Sequence, residues 1–382
     1  MIRLPVQKLQ PGMITSQSVY NSKGASYLTR GTPITQQYIE RLRKLGVKAL
    51  NVTSLTPGFN LMPPEDIVQE KTRVAAIHRV TEAFDDIILS NTINIEPLEQ
   101  VGETILLDIF RQRDNLAQLT DIRLYDNYTF AHCVNVAVLS AMIGSFCHFT
   151  KRNMLDLVMG SLLHDIGKTN IPLEILNKPA SLSPQEFDVV KRHPEAGRLK
   201  LRELNAFNSI IPTTIVAQHH EHLDGSGYPH NLIGDSIHKY ARIVAIADVY
   251  DALTSDRPYK KAYKPHIAYK IMTSCCKGQF DEDLLNAFFN NVAIYPVGTI
   301  LKTIYGYAIV KECSYGSTQV PLIVVFADSN AKILSQPYLL NTQECSPSCI
   351  EQVIEDKDLF PLVYRLRVDP ANYLQDDTIG YK

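Results

Sequence analysis

The feature that most constrains this chain is a set of imidazoles and carboxylates spread over some 120 residues of apolar, helix-like sequence. Its centre is Ser161-Leu162-Leu163-His164-Asp165-Ile166-Gly167-Lys168, where His164 and Asp165 close the apolar run 155–163. Gly167 is expected to let that helix stop. His132 lies upstream, and His193, the pair His219-His220 and Asp248 follow downstream. Each of these taken singly reads as a core histidine, a surface pair or a helix-end charge. Together they supply ligands from several helices, which is how two divalent metals are built into a helical bundle.

Composition fits that expectation. With 382 residues the chain has room for two or three domains, and 45% hydrophobic residues supply a real core. A net charge of −2 without a long basic run excludes a broad DNA-binding surface and leaves room for a small anionic ligand. The start, Met1-Ile2-Arg3-Leu4-Pro5, has no apolar stretch after a basic end, so no signal peptide is expected. Seven scattered cysteines read as reduced thiols of a cytoplasmic protein. Residues 130–149 approach the length of a membrane span. They carry His132, Asn135, Ser140, Ser145 and His148, so a buried helix with His132 facing a site is expected instead, and no membrane.

Four segments are expected. Residues 1–57 read as a small α+β module, with Thr35 capping a helix that Gly46 ends. Residues 58–125 read as a Pro- and Gly-marked linker followed by two amphipathic helices. Residues 126–292 are nearly all helix, with Ser183-Pro184-Gln185-Glu186 as a capping-box start. Residues 293–382 change to period two, with strands near 299–304, 308–312 and 321–326 and a hairpin turn at Asp328-Ser329-Asn330. They read as a β-rich C-terminal appendage. Cys345 and Cys349 look like half a zinc site without a second half.

Residues 126–290 resemble the HD-GYP family. The matching stretches, in family order, begin with His132 and Asn135 in Phe130-Ala131-His132-Cys133-Val134-Asn135, then His164-Asp165-Ile166-Gly167-Lys168, and His193-Pro194-Glu195 with Gly197. His219-His220-Glu221, the loop Asp224-Gly225-Ser226-Gly227-Tyr228-Pro229, Asp248 with Asp251, and Arg257-Pro258-Tyr259-Lys260 follow. The first module also looks like one often found ahead of HD-GYP domains. The resemblance implies a mainly α fold, an HD-superfamily helical bundle between the small α+β module and the β-rich appendage. It implies hydrolysis of cyclic di-GMP to pGpG, with the further step to GMP left open, by two or three metal ions, commonly iron or manganese.

By the same resemblance His132, His164, Asp165 and Asp248 hold the first ion, and His193, His219 and His220 the second, with Asp165 shared. Lys168 contacts the scissile phosphate, and Asp165 and Lys168 are the catalytic pair. Arg257, Lys260 and Tyr228 bind substrate. Asp251 orients a ligand. Five imidazoles favour iron, manganese, zinc or nickel over magnesium. The Tyr228 loop is expected either to shape the substrate pocket or to dock GGDEF-domain proteins, and a homodimer is expected. Three-metal family members carry a glutamate four residues before the first ligand histidine; Tyr128 stands there, which implies two ions. Two other readings stay open: a mononucleotide hydrolase of the wider HD superfamily, and a non-catalytic protein that binds cyclic di-GMP or a GGDEF domain.

Overall fold

The structure, a computed structural model, describes the chain apart from residues 1, 17, 21–25, 48, 54–66, 112–122, 125–127, 179, 256–261, 315, 346–348, 375, 377 and 382. It divides into two compact units. One is helical and comprises residues 67–113 and 126–289. The other is β-rich and combines residues 1–66, 114–125 and 290–382.

The helical unit is built around the Tyr128–Ser145 helix. Val136, Ala137, Val138, Leu139 and Ala141 are all fully buried, so this helix is apolar on every side rather than along one stripe. Four long helices pack around it: Glu70–Ser90, Glu96–Arg111, Lys151–Leu162 and Lys239–Thr254. Burying each large aliphatic side chain here contributes roughly 1.5–3 kcal/mol. No helix among the described residues is long and apolar enough to cross a membrane.

Helix starts follow local chemistry. Ser183 Oγ accepts from Glu186 N, and Glu186 Oε2 accepts from Ser183 N at 2.6 Å, the reciprocal cap expected for the Pro184–Val190 helix. Thr150 Oγ1 caps Lys151–Leu162 by accepting from Asn153 N. One expectation is corrected. The Lys151–Leu162 helix ends before His164, and a 3-10 turn, Ile166–Asn170, follows. Gly167 does not stop the helix. It permits close approach: a Cβ there would collide with the carbonyl of His193 and the amide of Gly197. The missing side chains at Gly167 and Gly197 bring the His193–Glu203 helix onto the His-Asp turn.

In the β-rich unit, five antiparallel strands run in the order Ile350–Val353, Ile300–Thr303, Gly306–Glu312, Leu322–Ala327, Ile333–Asn341. Asp328 Oδ1 accepts from Asn330 N and Lys332 N, closing the hairpin between the Leu322–Ala327 and Ile333–Asn341 strands. Side chains alternate along most of each strand. Ile300, Ile309, Val324 and Phe326 join one hydrophobic cluster, while Leu301, Ala308, Val310, Ile323 and Val325 join another. The first cluster also contains Leu4, Leu50 and Val52 from the strands Ile2–Pro5 and Ala49–Val52, and Leu359, Leu362 and Leu366 from the C-terminal helix Asp356–Leu366. The segments read as separate, 1–57 and 293–382, thus share one core, because the sheet buries both faces. The helices Glu70–Ser90 and Glu96–Arg111, expected in a joining segment, belong instead to the helical unit. The expected linker at 53–65 falls almost wholly outside the described residues.

Candidate metal centre

Five pieces of the helical unit converge. His132 comes from the Tyr128–Ser145 helix, and His164 and Asp165 from the turn after Lys151–Leu162. His193 opens its own helix, His219 and His220 follow the Ile211–Gln218 helix, and Asp248 lies on Lys239–Thr254. Ligand atoms of Asp165, His193, His219 and His220 lie within 4.8 Å of one another, as do those of His132, His164 and Asp165. Asp165 is the member common to both groups. Its Oδ1 is 3.4 Å from His193 Nε2 and 4.0 Å from His219 Nε2, while its Oδ2 is 3.5 Å from His164 Nε2. Asp248 lies between His132 and His220, 3.0 Å from His132 Nε2 and 3.6 Å from His220 Nδ1.

Four of the five rings are oriented by their other nitrogen. Nδ1 of His164, His193 and His219 donates to the carbonyl three residues earlier, of Ser161, Val190 and Val216, at 2.7–2.9 Å. A carbonyl only accepts, so those Nδ1 atoms carry the proton and Nε2 offers a lone pair. His132 Nδ1 lies instead 2.6 Å from Asp251 Oδ2, which places Asp251 as the orienting carboxylate. Asn135 Nδ2 donates to Asp251 Oδ1 at 2.9 Å.

The electrostatics suit cation ligands. Burial, with neighbouring His220, holds His219 well below the usual imidazole range; burial holds His164 down too and brings His220 to about 3. These rings are neutral. Burial opposes charge on Asp165 and Asp248, but Lys168 and His164 beside the first, and His132 and His220 beside the second, keep both carboxyls well below their ordinary range. His132 differs: burial disfavours its charge, yet the hydrogen bonds to Asp248 and Asp251 raise it to about 10. It must give up a proton to bind a metal. Among the described residues, His164 Nε2 and Asp165 Oδ1 are buried without a hydrogen-bond partner, a costly state that a coordinated cation would relieve. The donor set therefore fits divalent metal ions.

Around this core, Lys168 Nζ sits 2.6 Å from Asp165 Oδ2 with its side chain a quarter exposed. Burial weakens the ammonium, but Asp165 more than compensates and its pKa is raised. The Tyr228 ring packs on His220 at 4.6 Å between centroids, and its amide donates to the His220 carbonyl. A Cβ at Gly227 would strike the backbone of His220, Glu221 and His222, so only glycine lets the loop fold so close. Arg257, Lys260 and the Tyr128 side chain lie outside the described residues. Arg242, a conceivable partner for Asp248, pairs instead with Asp235 and Asp281.

Sequence reasoning gave no role to Glu221. Its carboxylate is buried and accepts from His230 N at 2.7 Å and Leu232 N at 2.9 Å, tying the Tyr228 loop back to the ligand pair. The available signal was a carboxylate placed directly between two imidazoles and a glycine-rich loop.

A model of the HD domain family matches residues 110–284. The cyclic di-GMP phosphodiesterase PA4108 of Pseudomonas aeruginosa is 30% identical over 359 residues, covering 87% of this chain and 86% of that protein. The response regulator RpfG of Xanthomonas campestris pv. campestris, a cyclic di-GMP phosphodiesterase, is 39% identical over 185 residues, 48% of this chain and 49% of its own. The 3'3'-cGAMP-specific phosphodiesterase 1 of Vibrio cholerae is 34% identical over 183 residues, 47% of this chain and 41% of its own. Among solved structures, Bd1817, an HDG"Y"P protein from Bdellovibrio bacteriovorus, superposes with a TM-score of 0.51 at 20% identity, over 75% of this chain and 97% of that one, a likeness of fold. With His132, His164-Asp165, His193, His219-His220, Asp248 and the Gly227-Tyr228-Pro229 loop gathered in one helical unit, the chain belongs to the HD-GYP family of HD-domain proteins.

Proposed function

We propose that this chain is a metal-dependent phosphodiesterase that opens cyclic di-GMP to linear pGpG and continues to GMP. The observation that carries the reading is Asp165, one buried carboxylate facing two groups of imidazoles with a different oxygen toward each. His132, His164, Asp165 and Asp248 would hold one divalent ion, and Asp165, His193, His219 and His220 the other. Bound there, such a pair supplies phosphate-oxygen binding and a water of lowered pKa. The imidazole-rich set suits iron or manganese, with zinc or nickel next. Two ions rather than three follow from Tyr128, whose neutral phenol is a poor ligand for a further hard cation.

The chain's own groups do the rest. Lys168 places a cation at the edge of the cluster, where it can meet negative charge building on the phosphate. Tyr228 offers an aromatic face beside His220 for a base. Arg257 and Lys260 would take a second phosphate or the O6/N7 edge of a guanine. The names of relatives on both sides, cyclic di-GMP and 3'3'-cGAMP phosphodiesterases, support a cyclic dinucleotide and favour the mixed-base nucleotide as the second reading.

The test is product chromatography with anaerobically purified, metal-replete protein offered cyclic di-GMP, 3'3'-cGAMP and deoxynucleoside triphosphates. We expect pGpG from cyclic di-GMP at the highest kcat/KM. Hydrolysis of the triphosphates alone, or none at all, overturns the proposal.

A further inference from the structure

Arg73 is one of the largest fully buried side chains of the molecule, only 1% exposed. It lies in the first turn of the Glu70–Ser90 helix, ahead of the segment that matches the HD domain family. A buried guanidinium loses its hydration and persists only where acceptors replace it. Its Nη1 donates to Asn135 Oδ1 at 3.1 Å. Asn135 Nδ2 donates to Asp251 Oδ1 at 2.9 Å, and Ser255 Oγ reaches the same oxygen at 3.1 Å. The other oxygen of Asp251 lies 2.6 Å from His132 Nδ1.

The polarity of this chain of bonds is fixed by its ends. A guanidinium only donates, and an ionised carboxylate only accepts. The amide between them therefore has one allowed orientation, carbonyl toward Arg73 and NH2 toward Asp251. With Asp251 held from one side, its free oxygen orients His132, whose Nε2 is left facing Asp248 at 3.0 Å. We propose that Arg73 is a positioning residue of the metal centre, acting through Asn135 and Asp251 on His132. The inference rests on the two-ion reading above.

The turn that carries Arg73 is anchored from the neighbouring helix. Gln69 stands at the N-cap, and its side chain does not cap the helix itself. Asp108 on Glu96–Arg111, 4% exposed, does so instead, accepting from Gln69 N at 3.1 Å, Gln69 Nε2 at 3.2 Å and Thr72 Oγ1 at 2.7 Å. The helical hairpin ahead of the family domain is thus part of the site's support.

The test uses the full chain stripped of metal and titrated with cobalt(II) by calorimetry, with thermal melting of each metal-free variant alongside. Arg73→Met should weaken one of the two cobalt sites about 10–100-fold and leave the other near wild type. Arg73→Lys, which keeps one donor, should fall between. Because Arg73→Met leaves a buried amide oxygen unpaired and can unfold the chain, two further variants carry the decision. The double change Arg73→Met with Asn135→Leu makes both partners apolar and should melt near wild type while still losing the same site. Asn135→Asp keeps Arg73 paired but sets a carboxylate against Asp251, and should lose that site as well. Wild-type binding of both ions by these two folded variants overturns the role of Arg73. So does equal weakening of both sites in step with a fall in melting temperature, which marks a merely structural residue. A wild-type chain that binds no cobalt overturns the two-ion reading itself.

Discussion

The half of the candidate metal centre built on His193 and His219 is oriented by local backbone, whereas the half built on His132 and His164 mixes two opposite modes. His164, His193 and His219 are each oriented by a carbonyl three residues back, within one turn of their own backbone. His132 is oriented by Asp251, 119 residues later in the chain, and Asp251 depends in turn on Asn135. The first arrangement forms wherever the local turn forms, and no side-chain substitution removes its acceptor. The second exists only once the Tyr128–Ser145 and Lys239–Thr254 helices have packed, and a single substitution removes it. The burden of charge differs too. The locally held His164 and His219 are neutral, whereas His132 carries a proton that a metal must displace.

The largest effect is expected where the halves meet. Asp165→Ala removes the carboxylate common to both and should cut turnover by about 10³-fold or more, with metal lost from both sites by elemental analysis. Metal retained with full activity would separate the halves altogether. Next, Lys168→Ala touches neither half's imidazoles; metal content should hold while kcat falls about 10²-fold. Loss of metal in parallel would make the Lys168–Asp165 ion pair structural. The asymmetry itself is tested by Asp251→Asn against Val190→Ala. The first should weaken metal binding about 10–100-fold, while the second, whose carbonyl remains, should stay within about twofold. The smallest expected effect is Glu221→Gln, which leaves one of two backbone donors of the Tyr228 loop unmet. KM for the dinucleotide should rise about 3–10-fold with metal content unchanged.

The same asymmetry governs what could be read in the sequence. His164-Asp165 after an apolar run, the capping box at Ser183 and the apolar run over residues 321–326 are local patterns, and each marks an element that is present. The candidate ligand residues stand out as a set because their types and order are unusual together. Gly167 was misread because its requirement comes from Gly197, a contact absent from its own neighbourhood in sequence. Arg73 reads as one more charge on an amphipathic helix until Asn135 is placed against it. The shared core of Leu4, Val52, Val324 and Leu362 was hidden because its members lie at opposite ends of the chain and each alone is an ordinary apolar residue.

The most direct measurement is anomalous diffraction at the manganese edge from a crystal grown anaerobically with manganese. The account predicts two peaks per chain, both ligated by Asp165, one toward His132 and His164 and the other toward His193, His219 and His220. A single peak, a third peak beside Tyr128, or a pair that does not share Asp165 would contradict it.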